Sequence, residues 1–158
     1  MKSAALALIG MIFCGVSPAF AQWGAEAGVL YLTQDNDGNT TTVLPMLNYK
    51  ILTKDSFILS AQVGGTAYRD ESTDKTFLIG VLRVNPEYQL GASKFSIEGL
   101  IGVQSWESKG TKLDLGARLN FGLQDLTDSY VDQAYLGGGV IDHENKTTYY
   151  TLGVKKWF

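Results

Sequence analysis

Apolar and polar residues alternate with a period of two through most of the chain after residue 22. Because successive side chains of a β-strand point to opposite faces, this pattern predicts strands with one apolar and one polar face. Polar clusters divide the alternation into eight segments at fairly regular intervals. They predict eight consecutive antiparallel strands at residues 23–33, 41–52, 57–69, 77–90, 95–106, 112–123, 130–141 and 148–158.

The residues before the alternation have the pattern of a secretory signal peptide. Lys2 is followed by a mostly apolar run and then by Pro18 and the small-x-small triplet that ends at Ala21. The run is shorter than the about 20 apolar residues that a transmembrane helix needs. We therefore expect a cleaved signal peptide at residues 1–21 and one β-barrel domain at residues 22–158.

Composition excludes several kinds of site from the predicted mature chain. The only cysteine, Cys14, lies in the predicted signal peptide, so neither a disulfide nor a catalytic thiol is expected. Without Lys2, the 13 basic residues fall to 12 against 16 acidic ones, which argues against a nucleic-acid-binding surface. Residues 35–39 contain acidic ligands without the spacing of an EF-hand, and Asp37-Gly38 is a hairpin signal. No metal, cofactor or catalytic residue is expected.

Sorting the strands by parity separates an apolar face from a charged face. In the fifth strand the apolar face carries Phe95, Ile97, Gly99, Ile101 and Val103. The opposite face carries four acids and four bases across the strands: Glu26, Lys50, Arg83, Glu87, Glu98, Asp114, Arg118 and Lys155. If this face lines an eight-stranded barrel, the charges must pair, since side chains fill such an interior. A soluble lipocalin-like carrier would place the charges outside instead.

Aromatic residues favour the membrane arrangement. They flank the predicted turns and the ends of the mature chain: Trp23, Tyr49, Phe57, Tyr88, Phe95, Phe121, Tyr130 and Phe158. Such a girdle occurs where transmembrane barrels meet the lipid headgroups. The sequence thus predicts an all-β, eight-stranded, antiparallel up-and-down transmembrane β-barrel. The predicted connections after strands two, four and six are shorter than those after strands one, three, five and seven, so they are expected in the periplasm. Adjacent Asp132 and Gln133 and the following glycines leave the register of strand seven open.

The last strand alternates apolar residues and ends in phenylalanine, through Tyr150, Leu152, Val154 and Phe158. This ending resembles the assembly signal of bacterial outer-membrane barrels. Lys156 departs from that pattern, and Trp157 replaces it if the last residues are shifted. With the size, signal peptide and girdle, the chain resembles the eight-stranded class that includes the OmpA membrane domain and OmpX. A fainter likeness, at residues 43–49 and 68–69, is to the MipA/OmpV family, whose barrel is larger.

The resemblance implies a location and partners. It places the chain in the outer membrane of a Gram-negative bacterium as a monomer, among outer-membrane lipids and lipopolysaccharide. The barrel-assembly machinery is its implied partner during biogenesis. Because an architecture carries no activity, the expected role is non-enzymatic: membrane structure and integrity, or surface interaction.

Two further functions remain as alternatives. A lipid-modifying enzyme similar to lipid A deacylases would use His143, the only histidine, as a base beside a carboxylate. No serine follows Ser129 to serve as its nucleophile. A narrow pore for small solutes would need a gap between the interior charges.

Overall fold

The computed structural model describes residues 23–34, 38–70, 75–107, 110–123, 131–141 and 147–158. These residues form eight strands: β1 (Trp23–Gln34), β2 (Gly38–Lys54), β3 (Phe57–Asp70), β4 (Lys75–Gln89), β5 (Phe95–Trp106), β6 (Gly110–Gly122), β7 (Gln133–Ile141) and β8 (Thr147–Trp157). Each strand pairs antiparallel with the next, and β8 pairs with β1 to close the barrel. The predicted fold is confirmed. No helix in the described part of the chain is long and apolar enough to cross a membrane.

Strand seven is the element that the sequence predicted least well. It begins at Gln133 rather than at residue 130, because Asp132 lies in the preceding connection and its backbone N–H donates to the Lys155 carbonyl at 2.9 Å. Asp132 and Gln133 are therefore not neighbours within one strand. Leu136 pairs with Leu119 on one side and with Leu152 on the other, which fixes the register.

The glycines of strand seven make room for interior side chains. A Cβ at Gly137 would lie 2.4 Å from the Arg118 Cβ, and one at Gly139 would lie 2.6 Å from the Tyr149 hydroxyl. Real Cβ atoms do not approach other atoms this closely. The carbonyl oxygens of Ala117 and Leu115 crowd the same two positions at 2.5 and 2.4 Å, so both need glycine for the neighbouring backbone as well as for Arg118 and Tyr149.

The connections at the two ends of the barrel differ in length, but not in the way that the sequence predicted. One end, called the terminal end, holds Trp23, Phe158 and the connections at residues 55–56, 90–94 and 123–132. The opposite end, called the distal end, holds the connections at 35–37, 71–74, 107–109 and 142–146. The longest connection is at the terminal end, so the expectation of shorter ones there is wrong. The distal connections are short because the strands continue further, with β2 starting at Gly38 rather than at residue 41.

Candidate functional site

The outward face of the barrel is an apolar band. Its exposed side chains include Val43, Leu47, Val84, Ile97, Ile101, Leu115, Leu119, Leu152 and Val154. The band runs from Phe95 to Val103 in β5 and from Leu113 to Phe121 in β6. Each of these segments matches the about 9–11 residues with which a tilted strand crosses a bilayer. Soluble monomers rarely expose so much continuous apolar surface, so this face fits lipid. The lipocalin-like alternative is wrong, because it requires the opposite orientation.

Aromatic side chains mark the limit of the band at the terminal end. Trp23 packs against Tyr49 with ring centroids 4.8 Å apart, and Phe95 packs against Phe121 at 5.0 Å. Phe57 pairs in register with the exposed Tyr88, and Phe158 is also exposed. Tyr130, the remaining residue of the predicted girdle, lies outside the described residues.

Beyond the distal limit of the band, the strands continue with polar outward residues. They include Thr33, Asn39, Thr41, Ser105 and Thr111. The pairing of β2 with β3 begins only at Met46 and Gly64. Among the described residues, the distal parts of these two strands therefore pair only with β1 and β4, respectively. Thr42 still links them, since its hydroxyl lies 2.8 Å from the Thr66 hydroxyl and 3.0 Å from the Ala67 carbonyl.

Inside the barrel, Arg118 is the centre of an ion-pair network. Its Nη1 lies 2.7 Å from Oε1 of Glu26, and its Nε lies 2.7 Å from Oε2 of Glu98. Lys155 Nζ reaches the same Glu98 oxygen at 3.1 Å. All four side chains are buried, and the guanidinium also lies over the ring of Tyr135, 4.3 Å from its centroid. Two acids and two bases thus neutralise each other away from water.

A second ion pair joins Arg83 and Asp114, with Nε and Oδ2 2.5 Å apart. Asp114 also accepts hydrogen bonds from Gln104 Nε2 at 3.0 Å and from the Tyr149 hydroxyl at 2.9 Å. Hydrogen bonds of this kind offset the cost of removing a carboxylate from water.

The remaining two predicted interior charges lie nearer the terminal end. Glu87 accepts a short hydrogen bond from the Ser96 hydroxyl and another from Gln133 Nε2 at 3.2 Å. The Lys50 ammonium lies over the Trp157 ring, 4.2 Å from its centroid. The structure thus brings Glu26, Arg83, Glu98, Asp114, Arg118 and Lys155 into ion pairs, and Glu87 and Lys50 have partners as well.

Several neutral partners of this network were not predicted from the sequence. Gln62 Nε2 donates to Glu26 at 2.8 Å and to the Asn48 carbonyl oxygen at 3.0 Å. Tyr135 and Tyr149 lie against Arg118 and Asp114, respectively. Gln62 in β3, Tyr135 in β7 and Tyr149 in β8 have the inward parity of their strands, and this parity was the sequence signal that could have identified them.

The lumen also holds a group of apolar side chains, called the apolar cluster, which were not predicted from the sequence. Its buried members are Leu30, Leu32, Leu44, Met46, Ile79, Val81, Leu100, Trp106, Ile141 and Tyr149. Tyr149 also contacts the second ion pair, since its hydroxyl donates to Asp114 and its ring centroid lies 5.5 Å from the Arg83 guanidinium carbon. Ions do not pass among such apolar side chains without a large loss of hydration.

Solved structures share this architecture. The attachment invasion locus protein Ail of Yersinia pestis aligns with a TM-score of 0.57 and 17% identity, over 87% of this chain and 97% of Ail. Neisserial surface protein A (NspA) aligns with a TM-score of 0.54 and 15% identity, over 85% of this chain and 94% of NspA. The fold is that of a small outer-membrane β-barrel. No model of a known protein family matches the chain, and no curated protein does.

In this outer-membrane barrel fold, the last strand, β8, closes the barrel by pairing with β1, and this pairing is called the seam. The Phe158 N–H donates to the Trp23 carbonyl at 2.7 Å. Asp132 accepts from the Trp157 N–H at 2.6 Å and from Lys156 Nζ at 3.1 Å. Pairing continues through Ala25 with Lys156 and Gly24 with Trp157, so the shifted ending that would let Trp157 replace Lys156 is wrong.

The side chains proposed for the assembly signal lie on the outer face. Tyr150, Leu152, Val154 and Phe158 are all exposed. Their role in barrel assembly stays a prediction, as does the signal peptide, because residues 1–22 lie outside the described residues. His143 also lies outside them. Within the described ranges, no group of three or more His, Cys, Asp and Glu residues is placed to hold a metal ion.

Proposed function

We propose that this chain is a non-enzymatic protein of the bacterial outer membrane that binds a partner at the cell surface through its distal end. The observation that carries this proposal is that the strands continue past the lipid-facing band at that end with polar outward residues. Two neighbours in fold carry compatible names, since Ail is an attachment invasion locus protein and NspA is a surface protein.

The proposed orientation places the terminal end in the periplasm. There, the turn at residues 55–56 follows the aromatic girdle directly, as periplasmic turns of outer-membrane barrels do. The distal strand ends carry threonine and asparagine side chains that require water. They therefore project outside the cell in this orientation.

The distal ends of β2 and β3 provide the binding surface in this proposal. Because these strands do not pair with each other before Met46 and Gly64, each presents a sheet edge beyond the Thr42–Ala67 hydrogen bond that links them. An extended segment of another chain adds readily to such an edge through backbone hydrogen bonds. The exposed Asn39 and Thr41 supply polar contacts beside it.

The filled lumen supports a role without transport or catalysis. Six interior charges are held in ion pairs, and the apolar cluster fills lumen space beside them. Groups held in this way have no substrate-accessible position in the described lumen. The pore alternative therefore lacks support from its geometry, whereas the lipid-modifying alternative depends on His143, which lies outside the described residues.

Orientation is tested by labelling cysteines in intact cells with a membrane-impermeant maleimide. Asn39→Cys should react in intact cells, whereas Asp55→Cys should react only after the outer membrane is permeabilised. The reverse pattern, or no membrane association of the protein, would refute the proposed location.

Surface binding is tested by the adherence of expressing cells to immobilised extracellular-matrix glycoproteins. Ala67→Lys, which places a charge beside the distal edge of β3, should abolish adherence. The matched control Lys54→Gln changes a charge at the terminal end and should leave adherence intact. Equal adherence of cells with and without the protein would refute the binding role.

A further inference from the structure

The pairing of β2 with β3 ends beside a proline. The Trp23 carbonyl of β1 accepts from Phe158, which directly follows β8, so the backbone groups of odd-numbered β1 residues face β8 and those of even-numbered ones face β2. Even-numbered residues of β1 pair with even-numbered residues of β2, so the backbone of Pro45 faces β3 instead. In the register that ends at Met46, the residue opposite Pro45 is Gly65. Proline has no N–H to donate to it, and the ladder stops there.

Side-chain hydrogen bonds join the two strands beyond this proline. The Thr42 hydroxyl lies 2.8 Å from the Thr66 hydroxyl and donates to the Ala67 carbonyl at 3.0 Å. Gln89 N–H donates to the carbonyl of Ser56, just before β3, so odd-numbered residues of β3, including Ala67, face β2. The Thr42 hydroxyl thus occupies a carbonyl that a backbone N–H of a paired strand would use. These three residues, Thr42, Thr66 and Ala67, are called the latch.

The latch is easier to open than a backbone ladder. One hydrogen bond changes an equilibrium constant by only about two- to tenfold. Thr42 and Thr66 are partly exposed at the distal end, so another chain can reach them. When the Thr42 bond breaks, the free edge of β2 lengthens from residues 39–41 to residues 39–43.

We propose that the latch is a switch that controls access to the distal edge of β2, and that the occupant of the opened edge is an extended segment of a partner protein. The groups along this edge are backbone donors and acceptors at every second residue, which an extended polypeptide matches. This proposal rests on the proposed function, because it concerns the same surface.

A disulfide locks the latch reversibly. In Thr42→Cys with Thr66→Cys, two sulfur atoms replace oxygens that lie 2.8 Å apart, close to the about 2.0 Å of an S–S bond. The oxidised double variant should not support adherence of expressing cells to immobilised extracellular-matrix glycoproteins, and a reductant should restore it. Each single variant is a control and should adhere with and without reductant. Equal adherence of the oxidised and reduced double variant would overturn the proposal.

Hydrogen exchange, followed by NMR in detergent micelles, tests the latch without a partner. The Val43 amide faces β3, so oxidation of the double variant should slow its exchange. Pro45→Ala supplies the missing donor toward Gly65 and should slow Val43 exchange by about two- to tenfold. Pro86→Ala, in β4, is the matched control and should leave it unchanged.

The two measurements separate the switch from the binding role. Val43 exchange that neither the disulfide nor Pro45→Ala slows would overturn the latch. If both changes slow it but wild-type cells do not adhere, the latch is supported and the proposed binding role is refuted.

Discussion

Arg118 and Glu26 lie 92 residues apart in the chain, yet two guanidinium nitrogens of Arg118 donate to the two Glu26 oxygens at 2.7 and 3.0 Å across the lumen. The two other nitrogen contacts of this guanidinium reach Glu98 from the neighbouring strand. The Arg118 side chain thus links β6 to β1 and β5 through side-chain hydrogen bonds, in addition to the backbone hydrogen bonds between neighbouring strands.

Removing this arginine should leave two buried carboxylates short of a partner. Arg118→Met, which preserves much of the volume, is expected to lower the free energy of unfolding by about 3–5 kcal/mol. Urea unfolding in lipid vesicles measures this loss. Lys54→Met, on an exposed turn-side residue, should stay within about 0.5 kcal/mol of the wild type.

Neutralising the partners distinguishes lost charge pairing from lost packing. If unpaired charge causes the loss, adding Glu26→Gln to Arg118→Met should recover part of the stability, because Glu98 keeps Lys155 as its partner. A double variant that is less stable than Arg118→Met would contradict this account.

The parity of the strands could be predicted from sequence, whereas the pairing of interior residues could not. Alternation places Arg118, Glu26 and Glu98 on one face whatever the register. Which rows coincide across the lumen depends on strand stagger, which is a property of the closed barrel. The glycines at 28, 137 and 139 were similarly uninformative until their neighbours were known.

Gly28 illustrates how a small residue is matched to a large one. A Cβ at this position would lie 2.2 Å from the Tyr135 hydroxyl, and its nearest backbone contact is 3.2 Å. Gly28→Ala should therefore lower the free energy of unfolding by about 1–3 kcal/mol through overpacking. Tyr135→Phe in the same chain should restore much of it, because it removes the clashing oxygen.

The control for this pair is Gly80→Ala, where an added Cβ meets no atom within 4 Å. Its unfolding midpoint in urea should stay near that of the wild type. If Gly28→Ala is as stable as this control, or if Tyr135→Phe brings no recovery, the proposed steric match is wrong.

The apolar cluster could not be predicted from the sequence for a different reason. Leu30, Leu32 and Leu44 have inward parity, but an apolar residue on the inward face looks the same as one on the outward face. Charged residues were recognisable as interior groups, whereas these leucines had no comparable signal. They became evident as one cluster only when strand closure placed them together.

Asp132 is expected to hold the end of β8 in place. Asp132→Ala removes both the Trp157 N–H bond and the Lys156 pair, so hydrogen exchange at the Trp157 amide should accelerate. Asp132→Asn keeps an acceptor for the amide and should show a smaller acceleration. Equal exchange in the two variants and the wild type, followed by NMR in micelles, would show that Asp132 does not restrain the seam.

Ion pairs and apolar packing both fill the lumen, so removing one of them should not open it. The wild type should show no ion conductance in planar lipid bilayers. Arg118→Ser with Glu98→Ser removes the centre of the charge network but leaves the apolar cluster, which should still exclude ions. Adding Leu30→Ser and Leu44→Ser makes part of this cluster polar and should produce measurable channels. Each variant must first show the β-sheet circular dichroism of the folded barrel. Conductance in the wild type, or already in the double variant, would mean that the apolar cluster does not seal the lumen.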